Sequence, residues 1–148
     1  MGEGVVVVAG LPGSGKTTCL CQMCRDGWIV FDDFKANAYE NSSAFRDSRK
    51  LRAVLTALRD DLKCVIADID FCKTDSRSEA ECVLLSEVPG VKLAWRFFAN
   101  NYHACETNIK RRNRPSLQAD LDKLREYSTQ YQIPVGAETL PVGAKSTT

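Results

Sequence analysis

The sequence predicts an α/β fold in which helices cover both faces of a parallel sheet. Short apolar runs alternate with longer amphipathic segments along the 148 residues, as expected of repeated strand–helix units. The first apolar run, Val5–Ala9, contains four valines and no polar residue, which is typical of a strand buried on both faces. The length suits one domain, residues 1–148, and a hydrophobic fraction of 44% is enough for a normal core.

The first half of the chain predicts two helices and two further strands. Residues 16–25 predict a helix, and residues 28–31 predict a short second strand. Residues 45–62 predict an amphipathic helix, whose apolar face consists of Leu51, Val54, Leu55, Leu58 and Leu62. The polar residues that precede it offer N-caps, namely Asn41, Ser42 and Ser43. Residues 64–67 predict a third, buried strand.

Another helix and strand are predicted after that third strand. Ser76 and Glu79 match a capping box, which predicts a helix that runs through residue 85. The Pro-Gly pair at 89–90 then ends this unit, and residues 91–98 predict a fourth strand.

The last third of the chain predicts two helices and an edge strand. Asn100 or Asn101 is expected to cap a helix that ends near Asn113, because Pro115 cannot continue it. A final helix carries apolar side chains along one side, namely Leu117, Leu121, Leu124 and Tyr131. Residues 138–142 predict a fifth strand at the edge of the sheet.

Composition excludes several classes of protein. Lysine and arginine total 20 and acids total 19, and a net charge of +1 argues against bulk binding of nucleic acid. Seven cysteines, no secretory signal and no apolar run long enough to span a membrane predict a cytoplasmic protein without a membrane partner. The single histidine, His103, excludes a multi-histidine metal site and is expected on a helix surface. Cys21 and Cys24 are expected to be buried structural residues, and residues 145–148 are expected to fray.

One segment carries a specific motif. Residues 10–17 match G-x-x-x-x-G-K-[ST] in full, between a predicted strand and a predicted helix. The glycines let the backbone curl so that N–H groups point inward at phosphate oxygens, and the following helix adds its N-terminal partial charge. Lys16 is expected to reach the β- and γ-phosphates, and Thr17 is expected to ligate Mg²⁺. The motif therefore predicts a nucleoside triphosphate site, most simply for ATP with Mg²⁺.

Two other predicted strands end in acids. Asp32 and Asp33 follow the second strand, and Asp68 and Asp70 follow the third. Ligands of parallel sheets bind at the carboxyl ends of the strands, so these acids are expected beside the phosphate loop. Phosphoryl transfer needs a carboxylate that accepts the proton of the attacking hydroxyl, and Asp32 or Asp33 suits this role. Asp68 suits a second role, which is to hold Mg²⁺ directly or through water.

Two basic clusters accompany the acids. The stretch 110–115 contains four cations at a predicted helix end, of which one or two suffice to balance the helix dipole. The others can neutralise charge that develops on a transferred phosphoryl group. The second cluster consists of Arg46, Arg49, Lys50 and Arg52. A solvated helix face is the favoured interpretation of this second cluster, and contact with an anionic acceptor is the alternative.

These motifs resemble those of the small P-loop kinases, and within them the kinase domain of bacteriophage-type polynucleotide 5′-hydroxyl kinases. The resemblance spans residues 5–142. It includes the phosphate loop, the Asp-Asp-Phe-Lys stretch at 32–35, which is similar to their Asp-Asp-Tyr-Arg, and Val-Ile-Ala-Asp at 65–68. It implies a three-layer fold with a five-stranded parallel sheet in the order 2-3-1-4-5 and a lid around residues 108–116.

The resemblance also implies roles for single residues. Asp32 would be the general base, and Arg112, with Arg111 as second choice, would be the lid arginine that acts with Lys16 in catalysis. The expected acceptor-binding residues are Asp33, Lys35 and Asp68. Lys35 stands where that family has an arginine, and lysine keeps the charge without the bidentate fork. The expected nucleotide-binding residues are Gly10, Pro12, Gly13, Ser14, Gly15, Lys16, Thr17, Thr18 and Arg111.

The sequence therefore predicts an ATP- and Mg²⁺-dependent kinase that acts on a hydroxyl, with an RNA or DNA 5′ end as the favoured acceptor. A small metabolite and a nucleoside monophosphate are alternative acceptors, and the second basic cluster would bind the monophosphate. A different class is a nucleotide-binding switch, which would hydrolyse ATP slowly and act through a partner. Trp95, Phe97 and Phe98 share one predicted strand and suit an interface as well as a core, so the oligomeric state stays open.

Overall fold

A computed structural model describes residues 4–143, which form a five-stranded sheet flanked by five α-helices. The strands are Val5–Ala9 (β1), Ile29–Phe31 (β2), Cys64–Ala67 (β3), Leu93–Phe98 (β4) and Thr139–Leu140 (β5). The helices are Lys16–Arg25 (α1), Leu51–Arg59 (α2), Thr74–Glu87 (α3), Tyr102–Arg112 (α4) and Leu117–Ser128 (α5). The strand order is β2-β3-β1-β4-β5 and every pairing is parallel, so the predicted fold class is confirmed.

The two central strands are apolar because both of their faces are covered. Every residue of β1 and of β3 is buried. Val5 and Val7 of β1 belong to a core shared with α2, α3, α4 and α5, whereas Val6 and Val8 pack with Leu20 and Met23 of α1. Helices on both faces were predicted from the valine run, and the alternation of these two sets confirms them.

The prediction of a helix over residues 45–62 is wrong in its first part. The chain forms only a 3₁₀ turn at Phe45–Asp47, and α2 begins at Leu51. The Phe45 ring is fully buried and stacks on Phe34 with 4.6 Å between ring centroids. The Ser48 hydroxyl donates to the carbonyl of Phe34, and the backbone at Ser48 is extended. These tertiary contacts override the helical periodicity of the sequence.

The N-caps predicted for this helix are also wrong, because Asn41, Ser42 and Ser43 all precede its true start at Leu51 by several residues. Asn41 has a left-handed backbone (φ 54°), and the Ser42 hydroxyl accepts the N–H of Ala44 instead of capping a helix. At the other end, Leu62 lies outside α2 and is 47% exposed. The segment between β2 and α2 is therefore a long irregular loop.

The predicted capping box at Ser76 and Glu79 does not form. The helix α3 begins earlier, at Thr74, and continues to Glu87. The Ser76 hydroxyl lies 3.4 Å from the Lys35 ammonium, and the Glu79 carboxylate accepts the N–H of Phe45 at 2.6 Å. Both side chains therefore hold the irregular loop instead of their own helix.

The predictions for the last third of the chain agree more closely with the structure. The Asn101 side chain caps α4 by accepting the N–H of Ala104 at 3.1 Å, and α4 ends at Arg112, directly before its C-cap Asn113, whose φ is 48°. The helix α5 stops at Ser128, before Tyr131, whose buried hydroxyl donates to the carbonyl of Phe98 and lies 3.2 Å from the carbonyl of Ala9. The edge strand β5 falls within the predicted range but has two residues. The expected fraying of residues 145–148 lies outside the described part.

Three smaller expectations have mixed outcomes. His103 is exposed on α4, as predicted. Cys21 and Cys24 are exposed on α1, so their prediction as buried residues is wrong. Phe97 and Phe98 are buried in the core, while Trp95 is half-buried. Between residues 4 and 143, no helix combines the length and apolar character that a membrane span needs.

Candidate active site

The phosphate-loop motif lies between the end of β1 and the start of α1, as the sequence predicted. Its backbone enters the left-handed region twice, at Gly13 (φ 81°) and at Gly15 (φ 103°), where residues with side chains are strained. The Ser14 N–H donates to the carbonyl of Leu11 at 3.1 Å and closes the turn. Because α1 begins at Lys16, its positive N-terminal end is directed at the loop.

Close packing from α4 also requires glycine in this loop. A Cβ atom on Gly13 would lie 2.5 Å from the carbonyl oxygen of Cys105 and 3.0 Å from Cγ1 of Ile109. A Cβ atom on Gly10 would lie 2.7 Å from the Ser14 hydroxyl. The loop is therefore pressed against α4 on one side, which leaves its other side to face a ligand.

A cavity of about 220 Å³ opens in front of the loop. It is lined by loop residues 11–17 and by Asp32, Asp33, Arg112, Arg114, Ser116 and Asp120. Three separate parts of the chain meet here: the phosphate loop, the acids after β2, and the turn between α4 and α5. The structure therefore brings Lys16, Asp32 and Arg112 to one cavity.

The two acids after β2 are held differently. One carboxylate oxygen of Asp32 accepts the N–H of Asp33 at 2.8 Å, and Asp33 adopts a left-handed backbone (φ 48°). The Lys50 ammonium donates to the backbone carbonyls of both acids. These bonds fix the turn, and both side chains stay exposed at the cavity.

Asp68 lies at the end of β3 but does not line the cavity in front of the loop. It is 6% exposed, and its two carboxylate oxygens accept the N–H groups of Lys35 at 2.7 Å and of Asp70 at 2.9 Å. Burial raises the pKa of Asp68, and those two N–H groups and the charge of Lys16 oppose the rise. The role of Asp68 as a metal ligand stays a prediction, since both of its oxygens already hold backbone groups.

The Lys35 side chain does not line the phosphate-loop cavity. Its ammonium donates to the carbonyl of Ser43 at 2.7 Å and lies 3.4 Å from a carboxylate oxygen of Asp70. The Tyr127 hydroxyl donates to the other oxygen of Asp70 at 2.8 Å. Lys35, Asp33 and Asp68 line a second polar cavity of about 290 Å³, which adjoins the first at Asp33.

The two candidate lid arginines differ in position. Arg112 is half-buried and lines the phosphate-loop cavity, whereas Arg111 is exposed and does not line it. Burial lowers the pKa of Arg112, the nearby charge of Arg114 lowers it further, and Asp120 opposes both effects. Arg114 also lines the cavity, so the stretch directs two of its cations toward the loop.

Two buried polar atoms indicate what kind of ligand the cavity would bind. Among the described residues, the Ser14 hydroxyl and Nε of Arg112 are the buried side-chain polar atoms without a hydrogen-bond partner, and both residues line this cavity. A buried polar atom that lacks a partner costs about 1–3 kcal/mol. An anion with several acceptor oxygens would satisfy these donors, and a polyphosphate has that chemistry.

Mg²⁺ would fit the same cavity only if phosphate oxygens also coordinated the ion. Within residues 4–143, no group of three or more His, Cys, Asp or Glu side chains could hold a metal ion by itself. Mg²⁺ typically combines few protein ligands with phosphate oxygens and water. Thr17, which is exposed at the cavity, is suited to be such a ligand.

A third, apolar cavity of about 310 Å³ lies on another side of the loop and shares Gly15 with the polar one. It is lined by Gly15, Thr18, Cys19, Phe98, Leu140, Pro141 and Gly143. Thr18 was expected at the nucleotide, but the contribution of residues 140–143 was not, because nothing in the local sequence marks them as part of a site.

The second basic cluster is not part of the phosphate-loop cavity. The Arg49 guanidinium lies over the Tyr39 ring at 4.2 Å and donates to the carbonyl of Asn37, and Lys50 holds the turn after β2. Arg46 and Arg52 are exposed. This arrangement matches a solvated, structural cluster better than a set of acceptor ligands.

Comparison with known proteins finds similarity at the level of structure. No protein-family model matches the sequence, and no curated protein matches it significantly. A gluconokinase from Sinorhizobium meliloti 1021 has a TM-score of 0.56 at 22% identity, over 96% of this chain and 84% of that one. A fungal RNA kinase has a TM-score of 0.61 at 11% identity, over 100% of this chain and 79% of that one.

A third similar structure is a putative fructose transport system kinase from Silicibacter sp. TM1040. Its TM-score is 0.53 at 13% identity, and the match covers 95% of this chain and 90% of that one. At identities this low, shared structure establishes the fold and leaves the substrate open. With its strand order, its phosphate loop and these likenesses, the chain has the three-layer α/β fold of the P-loop kinases.

Proposed function

We propose that the protein is an ATP- and Mg²⁺-dependent kinase that transfers the γ-phosphoryl group to a hydroxyl. The observation that carries this proposal is the meeting of Lys16, Asp32 and Arg112 in one polar cavity in front of the phosphate loop. A site that only bound nucleotide would need the loop and the cations. The carboxylate of Asp32, facing the same cavity, adds the base that phosphoryl transfer to a hydroxyl requires.

The cations supply most of the proposed catalytic effect. Lys16 would contact the β- and γ-phosphates, and the guanidinium of Arg112, a residue that lines the cavity, would donate to the group in transfer. Thr17 would hold Mg²⁺ together with phosphate oxygens, and the bound ion would neutralise charge on those oxygens. Residues 108–116 would act as the lid, since Arg112 and Arg114 of this stretch line the cavity.

Asp32 would act on the acceptor. The acceptor oxygen forms a bond to the γ-phosphorus while the bond from that phosphorus to the bridging oxygen of ADP breaks. The proton of the acceptor hydroxyl passes to Asp32, and ADP leaves with the electron pair. The carboxylate oxygen of Asp32 that accepts the N–H of Asp33 orients the other oxygen for this role.

The apolar cavity supports a nucleoside as the other part of the donor. Phosphates at the loop would leave the base beside Thr18, Phe98 and Pro141, where apolar walls suit a planar ring. Adenine in preference to guanine follows from the family resemblance. The seven cysteines are all free, which supports a proposed location in a reducing compartment such as the cytoplasm.

Two classes of acceptor remain in the proposal. A polynucleotide 5′-hydroxyl is favoured by the Asp-Asp-Phe-Lys stretch, and one similar structure is an RNA kinase. A small hydroxyl compound is favoured by a specific observation: the Lys35 ammonium is already paired with Asp70, so it is not poised to bind a phosphate of the acceptor. Asp33, which lines both polar cavities, would bind the acceptor in either case.

Incubation with γ-labelled ATP and a panel of acceptors tests the proposal. The panel contains 5′-hydroxyl RNA and DNA, nucleosides, nucleoside monophosphates and sugars, and the Lys16→Ala variant is the control. Labelled product that depends on Lys16 would support the kinase and identify its acceptor. Slow ATP hydrolysis that no acceptor stimulates would instead favour the nucleotide-binding switch.

A further inference from the structure

Asn108 lies in the middle of α4, and its side chain joins three segments that are far apart in sequence. The residue is 4% exposed. Its amide nitrogen donates to the carbonyl of Gly13 at 2.9 Å and to the carbonyl of Gly143 at 2.7 Å. Both amide hydrogens are therefore used, one on the phosphate loop and one on the segment after β5.

The bond to Gly13 holds one peptide unit of the phosphate loop. In a trans peptide the carbonyl and the N–H point in opposite directions. The Gly13 carbonyl is held by Asn108, and the N–H of Ser14, at the other side of the same unit, is held by the carbonyl of Leu11 at 3.1 Å. This unit cannot rotate without breaking one of the two bonds.

The bond to Gly143 acts on the next peptide unit. The Gly143 N–H donates to the carbonyl of Ser14 at 3.0 Å. Since that carbonyl points toward Gly143, the N–H of Gly15 in the same unit points the opposite way. Asn108 holds Gly143 by its carbonyl, so it influences the direction of the Gly15 N–H through one intermediate residue.

Asn108 also sets the position of the lid arginine. Arg112 follows four residues later in α4 and therefore lies on the same face of the helix, one turn closer to the cavity. An anchor at Asn108 fixes the last turn of α4 relative to the phosphate loop. The backbone of Arg112 is therefore positioned in part by a contact that its own side chain does not make.

We propose that Asn108 is a positioning residue for the phosphotransfer site. It orients two peptide units of the phosphate loop and fixes the position of Arg112 relative to that loop. It does so without contacting the nucleotide. The inference rests on the proposed function, because it concerns how the same site is organised. It predicts that loss of the amide impairs nucleotide binding and turnover beyond any loss of stability.

The test compares Asn108→Asp and Asn108→Ala with Asn101→Ala as a matched control. The Asn101 side chain caps the same helix by accepting the N–H of Ala104, and Asn101 does not line the phosphate-loop cavity, so its removal is expected to weaken α4 without altering the loop. The measurements are the Kd of a fluorescent ATP analogue, kcat and KM for ATP, and Tm. We expect Asn108→Asp, which turns a carboxylate toward two carbonyls, to reduce kcat/KM about 100-fold. Asn101→Ala is expected to lower Tm with an unchanged Kd.

A second pair of variants keeps the inference testable where the Asn108 variants do not fold. Gly143→Pro removes the N–H that holds Ser14, whereas Gly143→Ala keeps it, and a Cβ atom at Gly143 has open space around it. Gly143 lines the apolar cavity, so both variants add atoms to its wall and the difference between them reports the lost N–H. We expect the Kd of the ATP analogue to be about tenfold higher for Gly143→Pro than for Gly143→Ala.

The outcomes separate this inference from the proposed function. A wild-type protein that binds no ATP, or binds it equally well with Lys16→Ala, overturns the proposed function. A wild-type protein that binds ATP through Lys16, together with folded Asn108 variants or a Gly143→Pro variant of unchanged Kd and kcat, overturns the inference alone.

Discussion

The adjacent acids Asp32 and Asp33 have different proposed roles, because the fold places their carboxylates differently. Asp32 presents an oriented carboxylate to the phosphate-loop cavity, because one of its oxygens accepts the N–H of Asp33. Asp33 lines both polar cavities and so lies between the proposed donor and acceptor sites. From sequence alone either acid suited the role of base, and the family resemblance pointed to Asp32.

Asp32→Asn is expected to abolish transfer while the protein still binds ATP. The amide cannot accept the proton of the acceptor, so kcat should fall by about 100-fold or more, and the Kd for ATP should change less than about twofold. Steady-state transfer assays and a fluorescent ATP analogue measure the two quantities. Asp33→Asn is the matched variant, and it should raise KM for the acceptor more than it lowers kcat. An Asp32→Asn variant of normal kcat would exclude Asp32 as the base.

Arg112→Ala is expected to reduce kcat by at least about 100-fold, because Arg112 lines the phosphate-loop cavity and its charge would stabilise the group in transfer. Arg111→Ala is the neighbouring control, and it should change kcat less than about twofold because Arg111 lies outside the cavity wall. Single-turnover transfer assays distinguish the two. Equal losses of kcat in both variants would contradict the assignment of Arg112 alone as the lid arginine.

At the scale of elements, the irregular loop between β2 and α2 is organised by one aromatic side chain. Phe45 stacks on Phe34, its backbone N–H is held by Glu79, and Ser48 reaches back to the carbonyl of Phe34. The loop also contains Lys35, whose ammonium is bound by Ser43 and Asp70. Packing of Phe45 therefore holds in place the loop that carries Lys35, on the proposed acceptor side of the site.

Phe45→Ala is expected to lower the free energy of unfolding by about 3–5 kcal/mol, since a fully buried ring leaves a cavity behind. Tyr39→Ala in the same loop is the control, because Tyr39 is 55% exposed and its contact with the Arg49 guanidinium is worth less than about 1 kcal/mol. Urea unfolding measures both variants. A cost below that of Tyr39→Ala would mean that the loop is not anchored through Phe45.

At the scale of the whole molecule, some cysteine thiols are buried and others are exposed. The buried thiols predict how the free energy of unfolding depends on pH. Burial raises the pKa of Cys64, Cys72 and Cys105 from 9.0 to about 11. Between these two values the native state keeps protons that the unfolded chain releases. The stability these groups contribute is therefore complete below pH 9 and is lost as the pH rises toward 11.

Urea unfolding at several pH values from 8 to 11 is expected to show a falling midpoint as the pH rises. Cys72→Ser should flatten this dependence, because a serine hydroxyl does not ionise in that range while it fills the site of the thiol. Cys82→Ser, at an exposed thiol, should leave the dependence unchanged. A midpoint that rises with pH would contradict the assignment of these thiols as protonated in the native state.

Local sequence predicted the elements whose environment is simple. The strands Val5–Ala9 and Cys64–Ala67 and the helix Lys16–Arg25 have the predicted bounds, because a run of valines or a helix after a phosphate loop has few alternatives. Where side chains bond across the molecule the predictions fail. Glu79 and Ser76 serve the loop and not a capping box, and Ser48 interrupts a helical pattern to reach Phe34.

The sequence by itself determined the parallel sheet and the phosphate loop, and it indicated Asp32, Asp33 and the arginines of residues 110–115 as candidates for the site. These follow from spacing along the chain, since a buried strand needs a continuous apolar run and a phosphate loop needs its glycines within eight residues. Only the tertiary structure decided which arginine lines the cavity, and it is Arg112 and not Arg111. Only the tertiary structure shows that Lys35 forms an ion pair with Asp70 and that Asn108 forms a hydrogen bond to the phosphate loop. Each of these depends on which partner a side chain meets across the fold, and that information is not contained in its neighbours along the chain.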